Sequence, residues 1–203
     1  MTVSVADQVE GRIAALEPND AVRERRAELE DLVNYDGLTG HFNRTRLREA
    51  VDRAIAADQR RPNAAAFMAV GVDGMSAVNE RLGRAAADTV LVEIGSRLDE
   101  CLRVSDLIGR LGGDRYGIVL PDCPEEDVPV AAGKILQAIR SVPVETERGA
   151  VSVTVSIGVA SFGDRGSTSY EVMTRAEAAL ADAKRAGRDC HVHFRPDADE
   201  RER

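Results

Sequence analysis

The sequence predicts a mixed-sheet domain with helices packed on the sheet, in the α/β or α+β class. Three observations lead there. Apolar residues recur at helical spacing in several segments, and short β-branched runs lie between them. A Gly-Gly pair also separates two apolar-rich runs, Asp106 to Leu111 and Arg115 to Leu120, which is the pattern of a β-hairpin.

From about Asp20 to Tyr35, DAVRERRAELEDLVNY carries a narrow apolar stripe of Val22, Leu29, Leu32 and Val33 among charges, and reads as an exposed helix. It serves either as a dimer-forming stalk or as a helix packed on its own domain. A coiled coil needs about three to four heptads of signal, so the choice stays open. After the Asp36-Gly37 turn, a helix is expected at Arg44 to Gln59, ended by Arg60 to Asn63 with its Pro, and a buried strand at Ala64 to Val72. Helices follow at Met75 to Leu82 and at Ala86 to Leu102, the latter with Val90, Leu91, Ile94 and Leu98 on one face. Beyond the hairpin come a helix (Glu125 to Arg140), an alternating strand (Val151 to Ala160), a helix (Tyr170 to Ala186) and a strand (His191 to Phe194). The domain order is therefore β-α-α-β-β-α-β-α-β after a preceding N-terminal helix.

Three regions follow: a helical stalk or linker at 1–35, a domain at 36–194, and a charged tail or linker at 195–203. With 203 residues, 43% hydrophobic and 31% charged, the chain has enough apolar material for one core. Trp is absent and aromatics make up 3%, so Ala, Val, Leu and Ile must fill that core. A net charge of -8 excludes a general nucleic-acid binder, which needs a concentrated Lys/Arg surface. Cys101, Cys123 and Cys190 are odd in number and lack metal-ligand spacing, so neither a disulfide framework nor a zinc site is indicated. The longest apolar run, Ala64 to Val72, is far short of a membrane span, and the N-terminus lacks the pattern of a secretory signal. A cytoplasmic segment without membrane contact is the expectation.

Five segments then carry a resemblance: DGLTGHFNR at Asp36 to Arg44, VGVDGMSAVNERLGRAAAD at Val70 to Asp88, RVSD at Arg103 to Asp106, GGDRY at Gly112 to Tyr116, and AALADAKRAGRD at Ala178 to Asp189. Singly, each also reads as local structure: turn chemistry, a surface ion pair, a glycine hairpin, a helix C-terminus with basic residues and a glycine cap. In this order and spacing they resemble the GGDEF family of cyclic-di-GMP signalling, over about Asp36 to Phe194. His41 stands where the family usually has Leu.

The resemblance implies a palm-like fold akin to nucleotide cyclases, a bacterial second-messenger role, and two GTP molecules joined across a homodimer with Mg or Mn. It places the metal carboxylates at the end of the first long strand and at the third motif residue, here Gly71 and Asp114. Gly71 brings no ligand atom. Asp73 matches the second Asp of the family's D-x-D and lies on the same strand face, but roughly 6.5 Å along, which is far for a cation that holds ligands near 2.0 to 2.1 Å. The motif's usual Glu is Arg115, a permanent cation that disfavours a second metal and suits phosphate, or else a plain exposed strand residue.

Asn79 and Asp88 resemble the guanine-reading pair, and a carboxylate suits the adjacent N–H donors of that base. Lys184 and Arg188 fall at phosphate-contacting positions, and Arg103 and Asp106 at the product-binding inhibitory site. Gly74-Met75-Ser76 replaces the family's aromatic-Lys phosphate loop. The expectation is a degenerate domain that binds GTP or cyclic-di-GMP and regulates a partner or an attached phosphodiesterase or effector domain. An active diguanylate cyclase using Asp114 and Asp73, and a ligand-free dimerisation module, are the alternatives.

Overall fold

The structure is a computed structural model that describes residues 33–58, 65–162 and 167–195. Its elements are β1 (Phe42–Asn43), α1 (Arg44–Asp58), β2 (Ala66–Val72), α2 (Met75–Leu82), α3 (Arg84–Cys101), β3 (Leu107–Gly112), β4 (Arg115–Leu120), α4 (Val128–Ser141), β5 (Val144–Thr146), β6 (Gly149–Val151), β7 (Val155–Ser161), α5 (Ser169–Arg185) and β8 (His191–His193). Six strands form one sheet in the order β1-β3-β4-β2-β7-β8, and β5 and β6 form a separate hairpin. The two edge pairs, β1 with β3 and β7 with β8, are parallel, whereas β3, β4, β2 and β7 are joined antiparallel. This is the mixed sheet the sequence predicts.

Alternation along β2 sorts the core into two layers. Met68 and Val70 point with Tyr116, Ile118, Ile157 and Val159 towards Val90, Ile94 and Leu98 of α3 and Ile135 and Ile139 of α4. Phe67 and Ala69 face the other way, with Val119, towards Leu47 and Val51 of α1 and Val172, Ala176 and Leu180 of α5. All seven residues of β2 are buried, as befits a central strand covered on both faces.

The contact between α5 and β7 is the tightest of the layers. A Cβ on Gly158 would lie 2.1 Å from both the Ala176 carbonyl oxygen and the Leu180 nitrogen. Glycine there lets the helix backbone rest on the strand, and this fixes where the last turn of α5 falls. The same helix begins with a reciprocal cap: the Glu171 N–H donates to Thr168 Oγ1 at 3.2 Å, and the Thr168 N–H donates to Glu171 Oε2 at 2.8 Å.

Some expectations need correction. The strand expected at Val151 to Ala160 is two pieces, because β6 ends at Val151 and β7 begins at Val155. The β5-β6 hairpin was not foreseen: its three-residue arms are too short for periodicity to register, and Gly149, at φ 107°, closes its turn. The two-residue β1 is equally below that threshold. Of the helix expected at Asp20 to Tyr35, Val33 and Asn34 are helical, Tyr35 instead forms an isolated antiparallel bridge with Phe42, and residues 20–32 lie outside the described residues, as does the tail beyond Arg195.

Candidate nucleotide site

The Gly112-Gly113 pair does what a hairpin asks of it. Gly112 pairs with Arg115 across a two-residue loop, and Gly113 takes φ 60° at the first loop position, a conformation glycine adopts without strain. Asp114 follows at the tip. Its carbonyl accepts from the Val72 N–H at 2.9 Å, and the neighbouring ladder sets Gly71 opposite Arg115. Positions 71 and 114, distant in sequence, are thereby brought together.

Lys184 of α5 reaches into the same place. Its Nζ lies 3.4 Å from Asp114 Oδ2, both side chains being about one-third exposed. A Cβ built on Gly71 would lie 2.9 Å from Lys184 Cε and Nζ and 3.3 Å from Leu180 Cδ2. The aliphatic stem and ammonium of Lys184 thus fill the space that a side chain at position 71 would need. That contact gave no signal in sequence, because it depends on how far α5 advances over β2.

Asp73 is engaged elsewhere. The residue is 7% exposed; Oδ1 accepts from the Ser156 hydroxyl at 2.8 Å, and Oδ2 accepts from the Thr154 hydroxyl at 2.8 Å and the Asp189 N–H at 3.3 Å. Arg188 Nε stands 4.0 Å from the same carboxylate, with its side chain 59% exposed. These bonds staple the end of β2 to the loop after α5, where Gly187, Arg188 and Asp189 all take positive φ. The reading of Asp73 as a shifted metal ligand therefore meets a carboxylate whose two oxygens already have three donors. Among the described residues, no three His, Cys, Asp or Glu side chains gather where they would hold a metal ion.

Arg115 leans onto α5, 3.8 Å from Glu177 Oε1, an oxygen that Arg44 also approaches at 3.3 Å. On the other side of the hairpin, Arg110 was missed by sequence reasoning. Its Nη1 donates to Asp36 Oδ1 at 2.9 Å, and its Nε and Nη2 donate to the Gly113 carbonyl at 3.2 and 2.8 Å, so one guanidinium ties the Asp36 turn to the hairpin tip. Burial pushes the Asp36 carboxyl up, but the bonds from Arg110 and Thr39 outweigh it and leave the group below its ordinary value.

The two base-reading candidates sit on adjoining helices. Asn79 is exposed on α2, and Asp88 lies in the second turn of α3, its carboxylate 3.8 Å from the exposed Arg84. Gly83, at φ 82°, joins the helices, and its N–H closes α2 on the Asn79 carbonyl at 2.9 Å. Asp88 and Leu38 line one cleft of about 700 Å³ with Val92, Val142 and Pro143. The RVSD turn is closed by two bonds, Arg103 N–H to Asp106 Oδ2 at 2.8 Å and Asp106 N–H to the Arg103 carbonyl at 3.0 Å. It opens onto a separate pocket of about 220 Å³ that Lys134 also lines.

His41, in place of the expected Leu, packs edge-on to Tyr116 and sets its Nε2 2.9 Å from Asp99 Oδ2. Tyr116 is fully buried and donates to the Leu91 carbonyl at 2.6 Å, and burial raises its phenol well above the usual range.

A mixed sheet between two helical layers, with a carboxylate on a glycine hairpin beside the end of the central strand, defines an α+β domain of the nucleotide-cyclase, palm-like class. Residues 33–190 match the family described as diguanylate cyclase, GGDEF domain. The chain belongs to this family of cyclic-di-GMP signalling domains. It is 34% identical over 199 residues to the bifunctional diguanylate cyclase/cyclic di-GMP phosphodiesterase MucR of Pseudomonas aeruginosa, a match covering 96% of this chain and 28% of that protein. The isolated GGDEF domain of TpbB from the same organism superposes with a TM-score of 0.75 at 31% identity, covering 79% of this chain and 94% of that one. Diguanylate cyclase SiaD, solved with its activator SiaC, gives 0.75 at 30% identity, covering 93% and 75%. The chain spans less than a third of MucR, and among the described residues no helix is long and apolar enough to cross a membrane.

Proposed function

We propose that this chain is a catalytically degenerate GGDEF domain that binds a guanine nucleotide, GTP or cyclic-di-GMP, and transmits the bound state to a partner or attached domain. The observation that carries the reading is the filled space above Gly71: the ammonium of Lys184 lies there, paired with Asp114. Magnesium or manganese chemistry of the family type needs a carboxylate at that strand end, and the residues present do not fit it. Glycine supplies no oxygen, Asp73 is bonded to Ser156, Thr154 and Asp189, and Arg115 adds positive charge in place of an acid.

Recognition groups remain. The Asp88 carboxylate faces a cleft and accepts readily from two adjacent N–H donors, with Asn79 as its companion on α2. Arg103 and Asp106 keep the product-site pair on a closed turn. A cytoplasmic homodimer completes the reading. The name of MucR pairs a cyclase with a phosphodiesterase, and the small share of it spanned here suits a regulated domain joined to this one.

The test is a calorimetric titration of the purified chain with GTP and with cyclic-di-GMP. Saturable binding of at least one is expected. No heat with either ligand would overturn the assignment in favour of a ligand-free interaction module.

A further inference from the structure

We infer that Lys184 is the resident counter-ion of this site, so that the phosphates of a nucleoside polyphosphate are held by side-chain cations with no divalent metal. The inference rests on the nucleotide-binding reading above, and it concerns which charge the phosphates meet.

The geometry is specific. A Cβ at position 71 would come within 2.9 Å of the Lys184 ammonium, and an aspartate there would carry its carboxyl group one bond further out, into the volume the ammonium fills. The ammonium also stands 3.4 Å from Asp114 Oδ2. It therefore lies where two carboxylates would otherwise share a cation, and only because Gly71 has no side chain. Lys184 has three N–H donors, and Asp114 engages one, leaving two for phosphate oxygens.

Two further cations border the site, each on a loose tether. Arg115 is 3.8 Å from Glu177, which keeps Arg44 at 3.3 Å if Arg115 turns away. Arg188 is 4.0 Å from Asp73, whose oxygens stay bonded to Ser156, Thr154 and the Asp189 amide if Arg188 leaves. Pairs at these distances whose arginine is 40 to 59% exposed are weakly held, whereas a guanidinium on phosphate forms strong charge-assisted bonds. Release of either arginine thus leaves Glu177 with the Arg44 ion pair and Asp73 with its three hydrogen-bond donors. Counted together, Lys184, Arg115, Arg188 and Arg44 face Asp114, Glu177 and Asp73, an excess of one positive charge before any ligand arrives.

A fluorescent GTP derivative titrated in excess EDTA and in millimolar magnesium reads the inference directly. The dissociation constant should agree between the two buffers within about twofold, and Lys184→Met should weaken binding in EDTA by about tenfold. Loss of about tenfold or more in affinity on chelation of the wild type would overturn it. A second readout needs no nucleotide: the electron paramagnetic resonance signal of free Mn2+ should be unchanged by the wild-type protein and depleted by Gly71→Asp/Lys184→Met, in which the carboxylate returns and the ammonium goes. Depletion by the wild type, or none by the folded double variant, would refute the counter-ion role. Absence of nucleotide binding in both buffers would instead sink the functional proposal, leaving the Mn2+ result to judge Lys184 alone.

Discussion

The two sides of the candidate site are built on opposite plans. On the α2/α3 side, Asn79 and Asp88 stand at the surface, and the ion pair that Asp88 makes is with its helix neighbour Arg84 at 3.8 Å, a contact worth about 0 to 1 kcal/mol. On the β2/β4/α5 side, Asp73, Asp114 and Glu177 are each faced by an internal cation. A side that offers bare recognition groups is ready for a ligand. A side that neutralises itself needs no added cation to balance its carboxylates, as the proposed reading requires. On the proposed reading, the difference teaches that a signalling domain can keep the means to recognise a nucleotide after losing the means to activate it.

The largest expected effect breaks the self-neutralised side at its support. Gly158→Ala forces a methyl group against backbone atoms at 2.1 Å, lifts α5 from β7 and moves Lys184 with it. Overpacking against backbone should destabilise by about 3 kcal/mol or more, a drop in Tm of about 6 to 12 °C for a domain of this size. A thermal melt reads it, and an unchanged Tm would show that α5 is free to shift.

Next comes the open side. Asp88→Ala should weaken GTP binding about 10- to 100-fold, the cost of losing bonds to a charged acceptor of about 1.5 to 3 kcal/mol, with little change in Tm. Calorimetry checks the first part and a melt the second. A shift in Tm with unchanged affinity would make Asp88 a structural residue of α3.

Arg110→Ala is expected to cost about 1 to 3 kcal/mol, because it removes the donors shared by Asp36 and the Gly113 carbonyl. It carries an acid signature. Asp36 holds its proton less tightly folded than unfolded, so its contribution is present above about pH 4 and is lost as pH falls through the lower folded value. Urea unfolding below about pH 4 should therefore show a shallower loss of stability in the variant than in the wild type.

The smallest effect lies away from both sides. His193 Nε2 is 3.0 Å from Ser161 Oγ and its Nδ1 is 3.4 Å from Glu125, and burial pushes its pKa down despite that acid. A histidine kept neutral by folding stabilises fully above about pH 6.5 and loses that contribution as pH falls towards the folded value. His193→Asn should flatten the dependence of unfolding midpoint on pH between about 5 and 7.

Much of the fold was legible because its long elements carry strong periodicity, as with Val90, Leu91, Ile94 and Leu98 on α3. The short pieces were not: β1, β5 and β6 contain two or three residues each, and pairing rather than pattern makes them strands. In the site, residue types at motif spacing named Asp114, Asp88 and Lys184, and Gly71 announced a missing ligand. The occupant of the space over Gly71 could not be read, since it follows from the approach of α5 that Gly158 permits. Nor could the roles of Ser156 and Thr154 on Asp73, which arise from the register of β2 against β7.

The most direct test of the central claim is chromatography of the products after the purified chain is incubated with GTP and magnesium or manganese. The predicted result is unconverted GTP. Accumulation of cyclic-di-GMP that disappears in Asp114→Ala would contradict the account, because it would mean that Asp114 holds a working metal with Lys184 displaced.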